Sequence, residues 1–304
     1  MKLFSGTSNP ELASKVARRL SSSLSALEII RFKNSEVRVS VKEPIDGKEC
    51  AIIQTTSRPS DEHLIELAFT CDALKGGKAK KIITVIPYFG YSRQSSAQLA
   101  GECVSARVVS RLLESAGANK IITIDIHDKL TKTYFSIPFL NLSAMPLLAR
   151  HMKDDIKPET AVILSPDKGG IERARVFGRA YFGHDNFKIS VIEKHRSHLT
   201  PHKSRITGFE GNVTNKDVII VDDIITSGGT LLPAVELALE HGARSVYAAA
   251  THADFLPGVA KYIQSSKLKR LYITDTIAFD QKPFPKIKKL SAASLISKAL
   301  KNNS

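Results

Sequence analysis

The chain has 304 residues, 42% hydrophobic and 24% charged, with a net charge of +14 and 7% aromatics that include no tryptophan. That length suggests about two domains, and that composition is globular with enough core to need no disulfide staples. No apolar run approaches the ~18 residues of a membrane span, MKLFSGTSNPEL lacks the apolar region of a secretory signal, and Cys50, Cys71 and Cys103 form no CxxC pair or zinc-ligand spacing, so a soluble cytoplasmic protein with reduced thiols is expected.

Strand-like and helix-like runs alternate along the chain. A helix at 10–20 precedes the strands EIIRF (28–32) and AIIQT (51–55). A helix at 61–75, the strand KIITVIP (81–87), a helix at 102–116 and the strand KIITIDI (120–126) follow. Then come AVILSP (161–166), a helix at 170–180, KISVIEK (188–194), VIIVDD (218–223), a helix at 230–241, SVYAAAT (245–251), a helix at 257–265, RLYITDT (270–276) and a helix at 291–301. Most of these strands are continuous β-rich runs, the pattern of strands buried on both faces. The order predicts an α/β fold with mostly parallel sheets flanked by helices.

An internal repeat spans the chain. ESAGANKIITIDIHD (114–128) aligns with LEHGARSVYAAATHAD (239–254) at an offset of 125, matching Gly117 to Gly242, Ala118 to Ala243 and His127 to His252. Two related domains are therefore expected, 1–145 and 146–304, joined near 143–158, with the last helix (291–301) available to pack back on the first.

The positive charge suggests nucleic acid, but its distribution argues otherwise. Residues 261–304 hold ten Lys/Arg against two Asp/Glu, mixed into strand and helix patterns rather than gathered in an arginine-rich tail. No helix-turn-helix or zinc-finger signal accompanies them. A positive field suited to phosphorylated small molecules accounts for the same charge.

The stretch VIIVDDIITSGGT (218–230) carries the chemistry. An apolar strand runs into Asp222 and Asp223, a small-residue loop follows, and a helix begins near Thr230. In open α/β sheets ligands sit at the carboxyl ends of strands. Backbone amides of Gly228 and Gly229, a helix N-terminus and the hydroxyls of Thr226, Ser227 and Thr230 make an anion site suited to a phosphate. The two carboxylates can accept hydrogen bonds from vicinal sugar hydroxyls or reach Mg²⁺. Phosphate at one end and diol or metal at the other describes a ribose 5-phosphate site. The plainer alternative is a strand-to-helix turn with solvated acids. Neither a Walker loop nor a dinucleotide fingerprint is present.

VIIVDDIITSGGT resembles the PRPP-binding signature of phosphoribosyltransferase-fold proteins. VIPYFGYSRQ, ITIDIHDKLTKTYFSIPFLNL, LSPDKGGIERAR and IEKHRS resemble, in order, the nucleotide-loop, metal-histidine, SPD-x-GG and flexible catalytic-loop segments of one branch, the ribose-phosphate pyrophosphokinases (PRPP synthetases). The resemblance runs from FSGTSNPELA to LSAASLISKAL. It implies two tandem phosphoribosyltransferase-type domains and transfer of a diphosphoryl group from ATP to the C1 hydroxyl of ribose 5-phosphate, giving PRPP and AMP. It implies Lys194 and Arg196 at the transferring group, Phe32, Glu36, Arg93 and Gln94 on ATP, residues 222–230 on ribose 5-phosphate, and His127 and Asp167 on Mg²⁺. It also implies a homodimer or larger homo-oligomer. Taken without it, EKHRSH reads as a solvated basic turn, His127 and His252 as structural strand-end histidines, Asp167 as part of a turn, and Arg93 and Gln94 as surface residues.

The chain departs from the family pattern in places. Thr226 and Leu140 stand where an Asp is usual, Asn34 and Ser35 replace Asp-Gly, and Ser95, Ser96 and Ala97 are uncharged after Arg-Gln. The forms DDIITSGGT, AGE, PDKG and EKHRS look closer to the archaeal-type branch. Two other functions stay open. The lost charges would suit a nucleotide-binding regulatory homologue, an interaction protein in place of an enzyme. The DDIITSGGT loop would equally serve a phosphoribosyltransferase that consumes PRPP.

Overall fold

The computed structural model describes residues 1–196 and 204–302, with the backbone alone at 194–196 and 204–207. The chain divides into two compact units. The first holds residues 1–143, 275–278 and the segment from Ser291 on; the second holds 144–274 and 279–290.

The first unit contains β1 (Lys2–Ser5), α1 (Pro10–Arg19), β2 (Leu27–Arg31), β3 (Val37–Val41), β4 (Glu49–Ile53), α2 (Ser60–Gly76), β5 (Lys81–Ile86), α3 (Ser105–Ser115), β6 (Lys120–Ile124) and β7 (Phe139–Leu142). Five strands form a wholly parallel sheet in the order β1-β4-β5-β6-β7. β2 and β3 stand apart as an antiparallel hairpin. EIIRF was expected in a buried sheet, but β2 is only half-buried, because its partner is a single strand packed on α2.

The second unit contains α4 (Met145–Met152), β8 (Ala161–Ser165), α5 (Ile171–Phe182), β9 (Ile189–Arg196), β10 (Ser204–Glu210), β11 (Asp217–Ile225), α6 (Leu231–Glu240), β12 (Ser245–Ala253), α7 (Val259–Ser265), β13 (Arg270–Thr274) and β14 (Ile287–Leu290). Its seven strands run β10-β9-β8-β11-β12-β13-β14, parallel except where β10 pairs antiparallel with β9. Alternate residues of β11 face opposite cores. Val218 and Ile220 pack with Leu231, Val235 and Ile263 of α6 and α7. Ile219 and Val221 pack with Leu148, Phe177 and Tyr181 of α4 and α5. Helices on both faces are why the strand reads as an unbroken apolar run. Residues 143–158 contain α4, whose Met145, Leu148, Ala149 and Met152 are buried.

α8 (Ala293–Lys301) closes the chain in the first unit, against α1. Asp275 fixes this return. Its carboxylate accepts the Ala292 amide (2.7 Å) and pairs with Lys15 (3.0 Å), and its carbonyl accepts Asn9 Nδ2 (2.7 Å).

The repeat is visible in the hydrogen bonds. Gly117 donates to Glu114 and Ala118 to Leu113; Gly242 donates to Leu239 and Ala243 to Ala238, each pair at the sequence offset of 125. Gly117 and Gly242 both have left-handed φ, +112° and +82°. Glycine ends both helices because a Cβ there would be strained.

Candidate functional site

In the second unit, three neighbouring parallel strands deliver their carboxyl ends to one edge. β8 lies between β9 and β11, with Ser165 opposite Val191 and Leu164 opposite Ile220. Asp222 and Asp223 lie on β11 there, the turn at Asp167 follows β8, and Glu193 and Lys194 lie near the end of β9. β11 continues to Ile225, so the two acids lie within the strand rather than at its tip.

Arg173, from the first turn of α5, binds both acids, at 3.3 Å to Asp222 and 3.2 Å to Asp223. Asp223 is nearly buried, with 3% of its side chain exposed, whereas Asp222 keeps 21%. The Asp222 carboxylate also accepts the Asp223 amide at 2.9 Å. Burial, and next the adjacent Asp223 charge, raise the Asp222 carboxyl well above the usual carboxylate range, with Arg173 opposing them. Arg173 lies in the LSPDKGGIERAR run but was not singled out from sequence. Its signal was present: an arginine one turn beyond the glycines that start a helix beside the acid-bearing strand.

Asp167 caps its own turn, its Oδ1 accepting the Gly170 amide at 3.0 Å, while Ser165 Oγ donates to the Asp167 carbonyl at 2.7 Å. A Cβ at Gly170 would sit 2.6 Å from Ser165 Oγ, so a larger residue would push that hydroxyl off the Asp167 carbonyl. Lys168 pairs with Glu193 at 2.7 Å, tying this turn to β9 just before Lys194. Burial plays little part in that exposed pair, and the Glu193 contact raises the Lys168 ammonium pKa. Lys194 and Arg196 belong to β9, opposite Ile206 and Ser204 of β10. Their side chains lie outside the described residues.

The loop 226–230 links β11 to α6. Gly228 has a left-handed φ of +76° and is buried, while Ser227 and Gly229 are exposed. The Gly229 amide donates to Ser227 Oγ (3.3 Å), and Thr226 accepts the Leu256 amide (3.0 Å). α6 starts at Leu231 with Thr230 as its cap residue, and the Thr230 side chain makes no capping hydrogen bond. The loop therefore presents small residues, hydroxyls and a helix N-terminus without a side-chain cap, a geometry that accepts an anion.

The first unit handles the equivalent place differently. At the N-terminus of α3, Gln94 supplies its carbonyl to the Ala106 amide (3.2 Å) and its Oε1 to Ser105 Oγ (2.5 Å). Ser95 donates to Asp128, and Tyr134 OH donates to the Ser95 carbonyl (2.5 Å). Arg93 and Gln94 are thus tied to the segment carrying His127, and both Arg93 and His127 are exposed. Phe32 and Glu36 sit elsewhere in this unit, at the β2–β3 turn, where Phe32 accepts the Ser35 amide (2.9 Å) and donates to the Glu36 carbonyl (2.8 Å). Phe32 is 46% exposed and lines a groove of about 500 Å³ with Ile65 and Phe69 of α2.

Among the described residues no group of three or more His, Cys, Asp or Glu could hold a metal ion. The cysteines are free; Cys50 and Cys71 are buried, and burial pushes the Cys71 thiol up to about 11, so it stays protonated. No helix among the described residues is long and apolar enough to cross a membrane.

Comparison with known proteins agrees with this architecture. A family model described as the N-terminal domain of ribose phosphate pyrophosphokinase matches residues 1–117, and one described as a phosphoribosyl synthetase-associated domain matches 161–303. The chain is 37% identical to a ribose-phosphate pyrophosphokinase of Fusobacterium nucleatum over 99% of its length and 94% of that protein. It is 36% identical to the Bacillus subtilis protein of the same name, over 99% and 93%. The crystal structure of a phosphoribosylpyrophosphate synthetase from Mycobacterium smegmatis superposes with a TM-score of 0.89 at 31% identity, covering 100% of this chain and 99% of that one.

Proposed function

This chain belongs to the ribose-phosphate pyrophosphokinase family, and from that premise we propose how its own residues divide the work of joining ATP to ribose 5-phosphate. The enzyme is a diphosphokinase. The C1 hydroxyl oxygen of the sugar bonds to the β-phosphorus of ATP, the bond from that phosphorus to the oxygen bridging the α-phosphorus breaks, and AMP leaves.

The 226–230 loop holds the 5-phosphate through its backbone amides and the hydroxyls of Thr226, Ser227 and Thr230. Asp222 and Asp223 accept hydrogen bonds from the ribose hydroxyls, and Arg173 holds both carboxylates in place. The observation that carries this reading is the Arg173–Asp222–Asp223 cluster beside a glycine loop at the start of a helix. Lys194 and Arg196 bring positive charge to the transferring diphosphate, because phosphoryl transfer depends on positioning and charge stabilisation. Phe32, Glu36, Arg93 and Gln94 hold ATP.

Magnesium fits this donor set as a cation carried by the nucleotide. Mg²⁺ is commonly held by one or two carboxylates together with substrate phosphates and water; in the second unit the Asp167 carboxylate, one oxygen of which already accepts the Gly170 amide, is the group that would reach it, and in the first unit the His127 ring is exposed. Arg173 already pairs with both Asp222 and Asp223, which leaves that pair to the sugar. When bound, the cation screens the phosphate charge that develops during transfer.

Three finer points belong to the same reading. The protein works in the cytoplasm, assembles as a homodimer or larger homo-oligomer, and carries loops of the archaeal-type form at Thr226 and Gly101-Glu102, although the relatives above are bacterial. Calorimetric titration of ribose 5-phosphate into the wild type and into an Asp222→Asn/Asp223→Asn variant tests the site. Loss of sugar affinity supports the assignment, and unchanged affinity removes the acids from the sugar site.

A further inference from the structure

We propose that the hydroxyl of Thr56 is a positioning residue for nucleotide binding: it sets the seat of the loop that presents Arg93 and Gln94. This rests on the reading that those two residues contact ATP.

Thr56 follows β4, has 2% of its surface exposed, and lies beside the segment that leaves β5. Its single hydroxyl does two things. It donates to the Tyr88 carbonyl (3.1 Å) and accepts the Gly90 amide (2.7 Å). Its backbone amide also donates to the Tyr88 carbonyl (3.0 Å). Neighbouring Thr55 accepts the Tyr88 amide on Oγ1 (2.9 Å), so consecutive threonines grip residues 88–90. The approach is close: a Cβ at Gly90 would lie 2.3 Å from the Thr56 carbonyl oxygen, a backbone atom that cannot swing aside.

Beyond Gly90 the loop is locked for three residues. Tyr91 has a left-handed φ of +66°, uncommon for a residue with a side chain. Its carbonyl accepts the Gln94 amide (2.9 Å), and buried Ser92 donates to the Phe89 carbonyl (2.9 Å). Phe89 is itself held edge-on against Phe135 at 6.0 Å. The far end is fastened by Ser95 on Asp128. Between these two fastenings lie Arg93, which is exposed, and Gln94. The Thr56 hydroxyl is, with that of Thr55, a side-chain fastening at the near end, and it satisfies the amide of buried Gly90.

The test is steady-state kinetics of Thr56→Val, which keeps the side-chain shape and loses both hydrogen bonds, with Thr56→Ser, Gly90→Ala and Arg93→Ala beside it. Leaving a buried amide unsatisfied and the loop unseated is expected to raise KM for ATP roughly five- to fifty-fold, with kcat and KM for ribose 5-phosphate within about two-fold of wild type. Thr56→Ser restores KM for ATP to near the wild-type value because the hydroxyl returns. Gly90→Ala keeps the Thr56 hydroxyl but presses a Cβ on the Thr56 carbonyl oxygen; it unseats the loop and raises KM for ATP, and it carries the test of the seat if Thr56→Val does not fold. An unchanged KM for ATP in Thr56→Val and Gly90→Ala, or a serine variant as impaired as valine, overturns the proposal. So does a fall in kcat with both KM values unchanged, which marks a purely structural role. If Arg93→Ala leaves KM for ATP unchanged, the nucleotide reading of the loop fails and the proposal falls with it. If Arg93→Ala raises KM and Thr56→Val does not, the Thr56 assignment alone is wrong.

Discussion

Replacing Arg173 with methionine is expected to destabilise the protein in a way that shrinks as pH falls. The guanidinium lies 3.2 Å from Asp223, whose side chain is 3% exposed. At that distance, with an effective dielectric of ~20, the attraction is about 5 kcal/mol before desolvation is subtracted. Methionine keeps the apolar stem and deletes the charge, leaving Asp223 buried beside Asp222. The acid pair can then escape by taking up a proton, and the cost of that escape limits the damage. From a reference pKa of about 3.9 it is about 4 kcal/mol near pH 7 and about 1.5 kcal/mol near pH 5. Arg173 opposes the burial and the neighbouring charge that already raise the Asp222 carboxyl, so without it the folded pKa of the acid pair lies further above the unfolded one. The variant therefore loses stability as pH rises from the unfolded value through the raised folded value. Urea unfolding of both proteins across pH 5 to 8 measures the difference. A deficit that stays constant, or grows toward acid, refutes the view that Arg173 acts on these carboxylates by charge.

Other perturbations follow from the same structure. Gly228→Ala places a Cβ on a residue at φ +76°, which costs about 1–2 kcal/mol, and is expected to weaken ribose 5-phosphate binding in calorimetry while ATP binding holds. Lys194→Ala should lower kcat by several orders of magnitude, read by product formation, with ribose 5-phosphate affinity little changed; normal turnover would remove Lys194 from the mechanism. Asp217, away from the site at the start of β11, is held well below the usual carboxylate range by Arg244, with Ser245 (2.6 Å) and Thr160 (2.7 Å) also donating to it. Because its folded pKa is depressed, it contributes stability above its unfolded pKa and loses it as pH falls through the folded value. Asp217→Asn is therefore expected to lower the free energy of unfolding, measured with urea at neutral pH, by about 1–3 kcal/mol, with the deficit vanishing in acid and kcat unchanged.

The sequence shows its parallel core because strands buried on both faces must be apolar throughout. KIITVI, KIITI and VIIV are legible for that reason, and the glycines at 117 and 242 mark the helix ends because only glycine sits easily at their φ. The elements that were missed carry other signals. KLFS and FLNL are four residues long, and the lysines in IKKL hide an edge strand, where charge protects the exposed backbone. MPLLARHM is hard to read as a helix because its amphipathic run is only eight residues. At the site, the acid pair and the glycine loop lie within one short stretch and can be read together. Arg173 cannot be read the same way, since it reaches Asp222 from 49 residues away in sequence. Gly90 and Thr56 are likewise 34 residues apart and meet only because β4 and β5 are neighbours.

The most direct test of the account is ³¹P NMR of the purified protein with ATP, Mg²⁺ and ribose 5-phosphate. PRPP and AMP growing in equal amounts is the predicted result, since one diphosphoryl transfer releases one of each. No PRPP in a protein that still binds ATP by calorimetry would contradict it, and would make the chain a nucleotide-binding homologue without the activity of its family.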